Sequence, residues 1–403
     1  VSALRLIVLA VAIPLLVGGT MILTRKDGTG NPNLEIRGDA MHYVALARGD
    51  DPASVMVPFR YRVLVPWIAK QLPFTPERSL QVISILSLVG VQALLVLVGR
   101  RLALPLVDIT GGMVALSLTP SFLYVFHNPY LLDLFTLLMV TGAFHALLRR
   151  APVAFAGFVA VGAAGREAAL FIAPAYLLTV LLARSRRPAE RPLFLILGIG
   201  VAIAAFLLPR LLPALGSDGL HRYSAFYETT LRQFVPFRTP VEFLVSISTA
   251  WDWLWFAAAG GVALLGTSFV PPSLGAGGDR WTIVAIRVSV VLLCIGGVVT
   301  LVVNGGLDAG RQFLIAAPPI AVAAMCFAYV MRQVVAEQVY TAGLLALLIC
   351  TLSTTLVRLP NPLLTEAERW SVPLWTITCL SLGVMAACFM RIARSAAGKG
   401  RGP

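Results

Sequence analysis

Tight basic clusters divide this chain into long apolar runs, and that punctuation restricts its fold more than any other feature. Arg100-Arg101, Arg149-Arg150 and the stretch from Arg184 to Arg191 each close such a run flush at its end. Hydrocarbon offers no water to backbone N–H and C=O groups, so a run of about twenty apolar residues must satisfy them internally as an α-helix. At that length the chain accommodates about a dozen helices. The expected fold is all-α: a polytopic membrane protein with about 12 transmembrane helices, one integral membrane domain over residues 1–403.

Composition narrows the classes further. A mean hydropathy of +0.85, 58% hydrophobic residues and 13% charged residues exclude an ordinary soluble globular protein. No region is polar enough for a separate soluble domain. A formal charge of +13 would point to nucleic acid in a soluble protein. Here the basic residues stand at the ends of hydrophobic runs, as membrane topology requires, and no nucleic-acid partner is expected. Cys294, Cys326, Cys350, Cys379 and Cys388 all fall in apolar runs and read as small core residues rather than disulfide or zinc ligands. Arginine far outnumbers lysine, a bias of GC-rich bacterial genomes.

The run Leu4–Leu23 reads as the first span, since no small-residue cleavage site and soluble mature domain follow it. Thr75-Pro76-Glu77 predicts a helix start, with an N-cap hydroxyl, proline at the first position and an acid in the first turn. That span runs to about Gly99, and two more follow at Leu102–Leu118 and Tyr130–Leu148. Pro152–Ala164 and Ala168–Leu182 are short and divided by Arg166-Glu167. They form either a hairpin or one kinked helix, and the parity of the basic clusters favours the hairpin. Later spans are expected at Leu193–Leu212, Leu254–Val270, Thr282–Val303, Phe313–Met331, Tyr340–Leu356 and Pro373–Met390.

Placing the basic clusters in the cytoplasm puts Asp39, Asp133 and Glu167 at the outer face. Lysine and arginine divide evenly between the two sides, but the acids do not. Asp108, Glu190, Asp279 and Glu337 fall inside and the rest lie at or near the outer face. The expected location is a bacterial inner membrane with the site facing the periplasm or exterior. The outer face also carries a second polar stretch, Ser217–Glu242. Leu274-Gly275-Ala276-Gly277-Gly278-Asp279 lacks the lysine and hydroxyl ending of a nucleotide loop and reads as a linker.

Residues 24–75 form a first outer loop of about fifty residues, far longer than a connector needs, so it is expected to be functional. Pro66–Leu72, with Trp67 and Lys70, predicts a short interfacial helix within it. Asp39 follows Gly38 and precedes Ala40-Met41-His42-Tyr43, and reads either as a solvated loop acid or as a catalytic carboxylate. Asp133 closes His127-Asn128-Pro129-Tyr130-Leu131-Leu132-Asp133 at the outer end of a span. A carboxylate at membrane depth costs about 2.5–3.5 kcal/mol, so it faces a partner or a polar cavity. Arg166 and Glu167 face the same choice, with mutual neutralisation as the simplest outcome. Arg60 and Arg62 contact either lipid headgroups or the site. Arg311 and Arg358 stand at outer helix ends, where guanidinium groups can grip a lipid phosphate. His42 and His127 are isolated, and no histidine–cysteine cluster predicts a zinc site.

With these residues in place the chain resembles the GT-C superfamily of integral membrane glycosyltransferases, which take a sugar from a polyprenyl-phosphate donor. The resemblance rests on Gly38-Asp39 with Tyr43, Tyr61-Arg62-Val63-Leu64-Val65-Pro66, the second acid Asp133 and the number of spans, and covers mainly the first 185 residues. It implies a catalytic module over 1–185, with the helices of 192–403 on the lipid side. It also implies Asp39 as catalytic base, Asp133 as second acid and Arg311, Arg358 and Arg62 at the donor phosphate. His42, Tyr43, Arg60, His127, Asn128, Arg166 and Glu167 then support the acceptor. Unlike oligosaccharyltransferases and protein mannosyltransferases, the chain has no large soluble domain, so a lipid or glycan acceptor is expected. Gly38-Asp39 also replaces the adjacent acid pair of some members.

Such a transfer needs a base for the acceptor hydroxyl and cations for the departing phosphate, but no nucleotide loop. A base opposite the leaving phosphate inverts the anomeric centre. No cofactor is required, although a divalent metal ion shared by the two acids is left open. The alternative is a transporter or flippase of a lipid-linked sugar, against which stand the long first loop and the absence of a half-chain repeat. A lipid-linked polysaccharide polymerase or ligase would carry its largest loop in the C-terminal half.

Overall fold

The computed structural model describes residues 12, 39–183, 200–207 and 254–334, apart from 57, 58, 118, 202, 268, 272, 275–277 and 304–308. The expected spans Tyr340–Leu356 and Pro373–Met390, all but one residue of Leu4–Leu23, most of Leu193–Leu212, the stretch Ser217–Glu242 and Arg358 lie outside the described residues. Among the described residues the chain is mostly helical and has no strand. Pro76–Arg101, Arg280–Thr300 and Arg311–Gln333 are long and apolar enough to cross a membrane, and Asp133–Leu148, Pro152–Gly165 and Glu167–Ala183 are shorter apolar helices. This is a helical membrane protein.

Helix α1 (Asp39–Arg48) and helix α2 (Leu64–Gln71) belong to the first loop, joined by short 3₁₀ turns at Pro52–Ser54 and Phe59–Tyr61. Their apolar faces share a small core of Tyr43, Val44, Ala47, Phe59, Val65 and Ala69 with Leu80, Ile83 and the segment Tyr130–Leu132. The loop is thus seated on the helix ends beneath it. Trp67 and Phe74 remain exposed on its outside, as expected of an interfacial segment.

Helix α3 (Pro76–Arg101) starts at the predicted triplet, with the Thr75 hydroxyl accepting from Arg78 N–H at 3.3 Å. Glu77 in its first turn and Arg100 and Arg101 in its last complement the helix dipole. The next run departs from expectation. Rather than one span over Leu102–Leu118 and then a loop, it forms α4 (Leu106–Ser117) and a separate helix, α5 (Pro120–His127). The following helix, α6 (Asp133–Leu148), begins only at Asp133. Asn128–Leu132 is held to α3 by the Ser84 hydroxyl donating to Pro129 O at 2.6 Å and by Gln81 Nε2 donating to the Tyr130 hydroxyl at 3.4 Å.

Helix α7 (Pro152–Gly165), the 3₁₀ segment Glu167–Ile172 and helix α8 (Ala173–Ala183) follow. Arg166 between them is extended, with φ −159° and ψ 134°. The rings of Phe155 and Tyr176 meet at 5.3 Å. These residues lie far apart along any continuous helix, so the two segments double back as a hairpin with Arg166 at its apex.

Helices α9 (Leu254–Leu264), α10 (Arg280–Val303), α11 (Ala309–Phe313) and α12 (Ala317–Val334) complete the described fold, with the 3₁₀ turn Leu314–Ala316 between the last two. Their buried residues join those of α3 to α8 in one large hydrophobic cluster. Helix α12 lies at its centre, packed most closely on α9.

Turns at both ends order the bundle. Three helices end with a residue at positive φ whose successor N–H reaches back five residues: Gly49 (φ 96°), Ala103 (φ 55°) and Arg150 (φ 56°). The closing bonds are Asp50 N to Ala45 O, Leu104 N to Gly99 O and Ala151 N to Ala146 O. These are Schellman caps, which satisfy carbonyls the helix end would leave unpaired. At the end bearing the Arg101 and Arg150 turns, the Trp281 indole donates to Leu147 O at 2.9 Å. The Arg150 guanidinium lies 5.1 Å from the Trp281 ring and bonds Asp279 at 2.5 Å. Asp108 on α4 takes both donors of Arg332 on α12, at 3.1 and 3.0 Å.

Candidate functional site

At the other end, the starts of α1 and α6, the hairpin apex, the loop before α2 and helix α11 bring six charged side chains together. Asp39 opens α1 and Asp133 opens α6, positions where an acid is favoured by the helix dipole. Arg311 reaches both. Its Nε donates to Asp133 Oδ2 at 2.9 Å and its Nη1 donates to Asp39 Oδ2. Arg166 donates through Nη1 to Asp133 Oδ1 and through Nη2 to Gln312 Oε1 at 3.2 Å. Beside them, Arg62 grips Glu167 with two donors, Nε at 3.0 Å and Nη2, while its Nη1 donates to the Tyr43 hydroxyl at 2.7 Å.

Burial separates the two acids. The Asp133 side chain is 1% exposed and that of Asp39 is 32% exposed. A buried carboxylate is tolerable only when its oxygens are paired, and Arg166 and Arg311 each take one oxygen of Asp133. Asp133 therefore acts as the internal anchor of two guanidinium groups, and Asp39 is the carboxylate that water and a ligand can reach. Burial alone would push the Asp39 carboxyl up. Arg311, bonded to it, outweighs that effect together with Arg62 and Arg166, and holds the carboxyl below its usual range.

The expected site residues are sorted by these contacts. Tyr43 is fully buried beneath Arg62, its ring edge-on to Phe59 at 5.7 Å. His42 stacks on the same Phe59 ring at 4.7 Å, one helical turn from Asp39. Burial lowers the His42 pKa, Asp39 only partly offsetting it, so its imidazole is neutral at pH 7. Arg60 is buried and donates to Val55 O at 3.0 Å. Arg166 and Glu167 do not neutralise one another as the sequence led us to expect. The extended backbone at Arg166 sends the neighbours to different partners, Asp133 and Glu167's own Arg62. Asn128 lies in the segment before α6, and its carbonyl accepts from Leu131 N–H at 3.2 Å. His127 ends α5.

Sequence reasoning missed two members. Gln312 was hidden in an apolar run, although its place beside Arg311 was a usable signal. Phe59 supports His42, Tyr43 and Arg62, whose guanidinium lies 5.4 Å from its ring.

Among the described residues no group of three or more His, Cys, Asp or Glu side chains is assembled as metal ligands would be. An ion shared by Asp39 and Asp133 would have to displace Arg311 from both. The arrangement instead offers guanidinium donors at the edge of a reachable carboxylate, which suits an anionic ligand and a proton to be moved. No protein-family model and no curated protein matches this chain.

Proposed function

We propose that the chain is a glycosyltransferase of the GT-C type. It moves a sugar from a polyprenyl-phosphate donor to a hydroxyl of a lipid or glycan acceptor at the outer face of a bacterial inner membrane. The observation that carries this reading is the placing of Asp39. A reachable carboxylate of the first loop meets, through Arg311, the buried Asp133 of a distant helix.

In this mechanism Asp39 accepts the proton of the acceptor hydroxyl. The hydroxyl oxygen bonds to the anomeric carbon on the face opposite the phosphate, and the bond from that carbon to the phosphate oxygen breaks. Its electron pair leaves with the prenyl phosphate, and the sugar inverts. Arg311 steadies the departing phosphate together with Arg62, Asp133 holds Arg311 in place, and Glu167 and Tyr43, which hold Arg62, support the acceptor side. Asp39, held below the usual carboxylate range, is ionised throughout the neutral range and needs no prior deprotonation.

The test is incubation of the purified protein with a panel of polyprenyl-phosphate sugars, scoring consumption of each donor. At least one donor should be consumed, and Asp39→Asn should slow its consumption by about 10²–10⁴-fold, the usual contribution of a general base. Near-normal transfer by Asp39→Asn removes Asp39 from the mechanism. A panel left unconsumed, with a labelled lipid-linked sugar crossing a vesicle bilayer, would give the site to a flippase.

A further inference from the structure

The two contacts of Arg311 differ in what would follow from breaking them. Loss of the bond to Asp133 would leave one oxygen of a carboxylate that is 1% exposed without its partner, and burial keeps solvent from replacing it. Loss of the bond to Asp39 releases a carboxylate that is 32% exposed and readily hydrated. Arg311 is therefore fixed through Nε and exchangeable through Nη1.

Charge points the same way. Arg62, Arg166 and Arg311 face Asp39, Asp133 and Glu167, so the described cluster is neutral as it stands. An entering anion meets no surplus positive charge within it, so it gains most by drawing a guanidinium away from a carboxylate. The least costly carboxylate to dislodge is Asp39. The same cluster holds a further donor: Arg166 Nε is buried and has no hydrogen-bond partner among the described residues. Asp133 already uses another nitrogen of the same guanidinium.

We infer that the donor phosphate and Asp39 compete for Arg311 Nη1, so that phosphate entry releases Asp39 from its ion pair. This rests on the reading of the ligand as a phosphate-bearing lipid. Before entry, the arginine holds the carboxylate as a weak acceptor of protons. On entry, the same nitrogen turns to the phosphate, and Asp39 becomes free for the acceptor hydroxyl. Donor binding and readiness of the base are thus one exchange, and the carboxylate is unmasked only when a leaving group is clamped.

The exchange has a consequence that simple base catalysis lacks: removing the charge of Asp39 should strengthen phosphate binding. Farnesyl phosphate and farnesol are titrated calorimetrically into the purified full chain in detergent, as wild type, Asp39→Asn and Asp39→Ser. Both substitutes are good residues for a helix start, and the second covers a failure of the first to fold. A carboxylate competes for a guanidinium far better than a neutral oxygen does, so farnesyl phosphate should bind each variant about tenfold tighter than wild type, with farnesol unchanged. Equal or weaker phosphate binding in the folded variants overturns the exchange and leaves the phosphate reading standing. No preference for farnesyl phosphate over farnesol in any of the proteins overturns both.

Discussion

The two aspartates of the cluster should respond differently to the same substitution. Asp133→Asn removes the charge on which two buried guanidinium groups rest, and breaking a buried pair in this way costs about 3–5 kcal/mol. Thermal unfolding in detergent should show Asp133→Asn much less stable than wild type, with Asp39→Asn close to it. Equal stability of the two would mean that Asp133 is not the anchor. Acidity gives a separate check on Asp39. Its folded pKa is depressed, so the stabilisation from its ionised form is present above the unfolded value of about 3.9 and lost only as pH falls through the lower folded value. The kcat/KM for a consumed donor should then stay flat on the acid side down to about pH 5. An acid limb centred near neutrality would assign the proton transfer to a different group. Asp133 was legible in the sequence because charge at membrane depth is costly and has to be explained, Asp39 because its loop is far longer than a connector needs, and Arg311 because it stands at an outer helix end. The partners of Arg166 and Glu167 were not, because adjacency in sequence is silent about the direction in which an extended residue sends its side chain.

At the level of elements, the long helices were legible and the short ones were not. Thr75-Pro76-Glu77 marked the start of α3 because capping chemistry is local. Helix α5 escaped notice because the eight residues from Pro120 to His127, just before Asn128-Pro129, are too few to show a helical period. Close packing was equally invisible. A methyl group at Gly261 would stand 1.8 Å from the Ala323 carbonyl oxygen, so α9 and α12 meet there backbone to backbone. Gly261→Ala should push the helices apart and cost at least about 1–3 kcal/mol, read as a lower unfolding temperature. An unchanged temperature would show that the contact yields freely. Ala103 offers the opposite experiment. It holds a left-handed cap position that glycine occupies without steric cost, so Ala103→Gly should raise stability by up to about 1 kcal/mol. This turn lies at the end remote from Asp39, and transfer activity should be unaffected.

Among the described residues the charges gather at two ends of the molecule. Arg101, Arg149 and Arg150 gather with Asp108 and Asp279 at one end, tied there by Arg150 to Asp279 and Arg332 to Asp108. Asp39, Asp133 and Glu167 gather at the other. The sequence foresaw this separation because each acid stands one apolar run away from a basic cluster. It could not foresee that Arg311, from the C-terminal half, would bind Asp39 across the fold. The proposed reaction depends on which end faces the cytoplasm, since the lipid-linked donor must be met on the side where Asp39 stands, and the basic clusters flush at helix ends are the ground for placing Asp39 outside. Single cysteines at the exposed Asp50 and Asp51, in a background with the native cysteines replaced by alanine, report the Asp39 end. Cysteines at the exposed Arg101 and Arg149 report the opposite one. An impermeant maleimide applied to intact spheroplasts should label the first pair at once and the second only after lysis. The reverse pattern would turn the molecule over, placing Asp39 and its arginines in the cytoplasm and moving the proposed transfer to the inner leaflet.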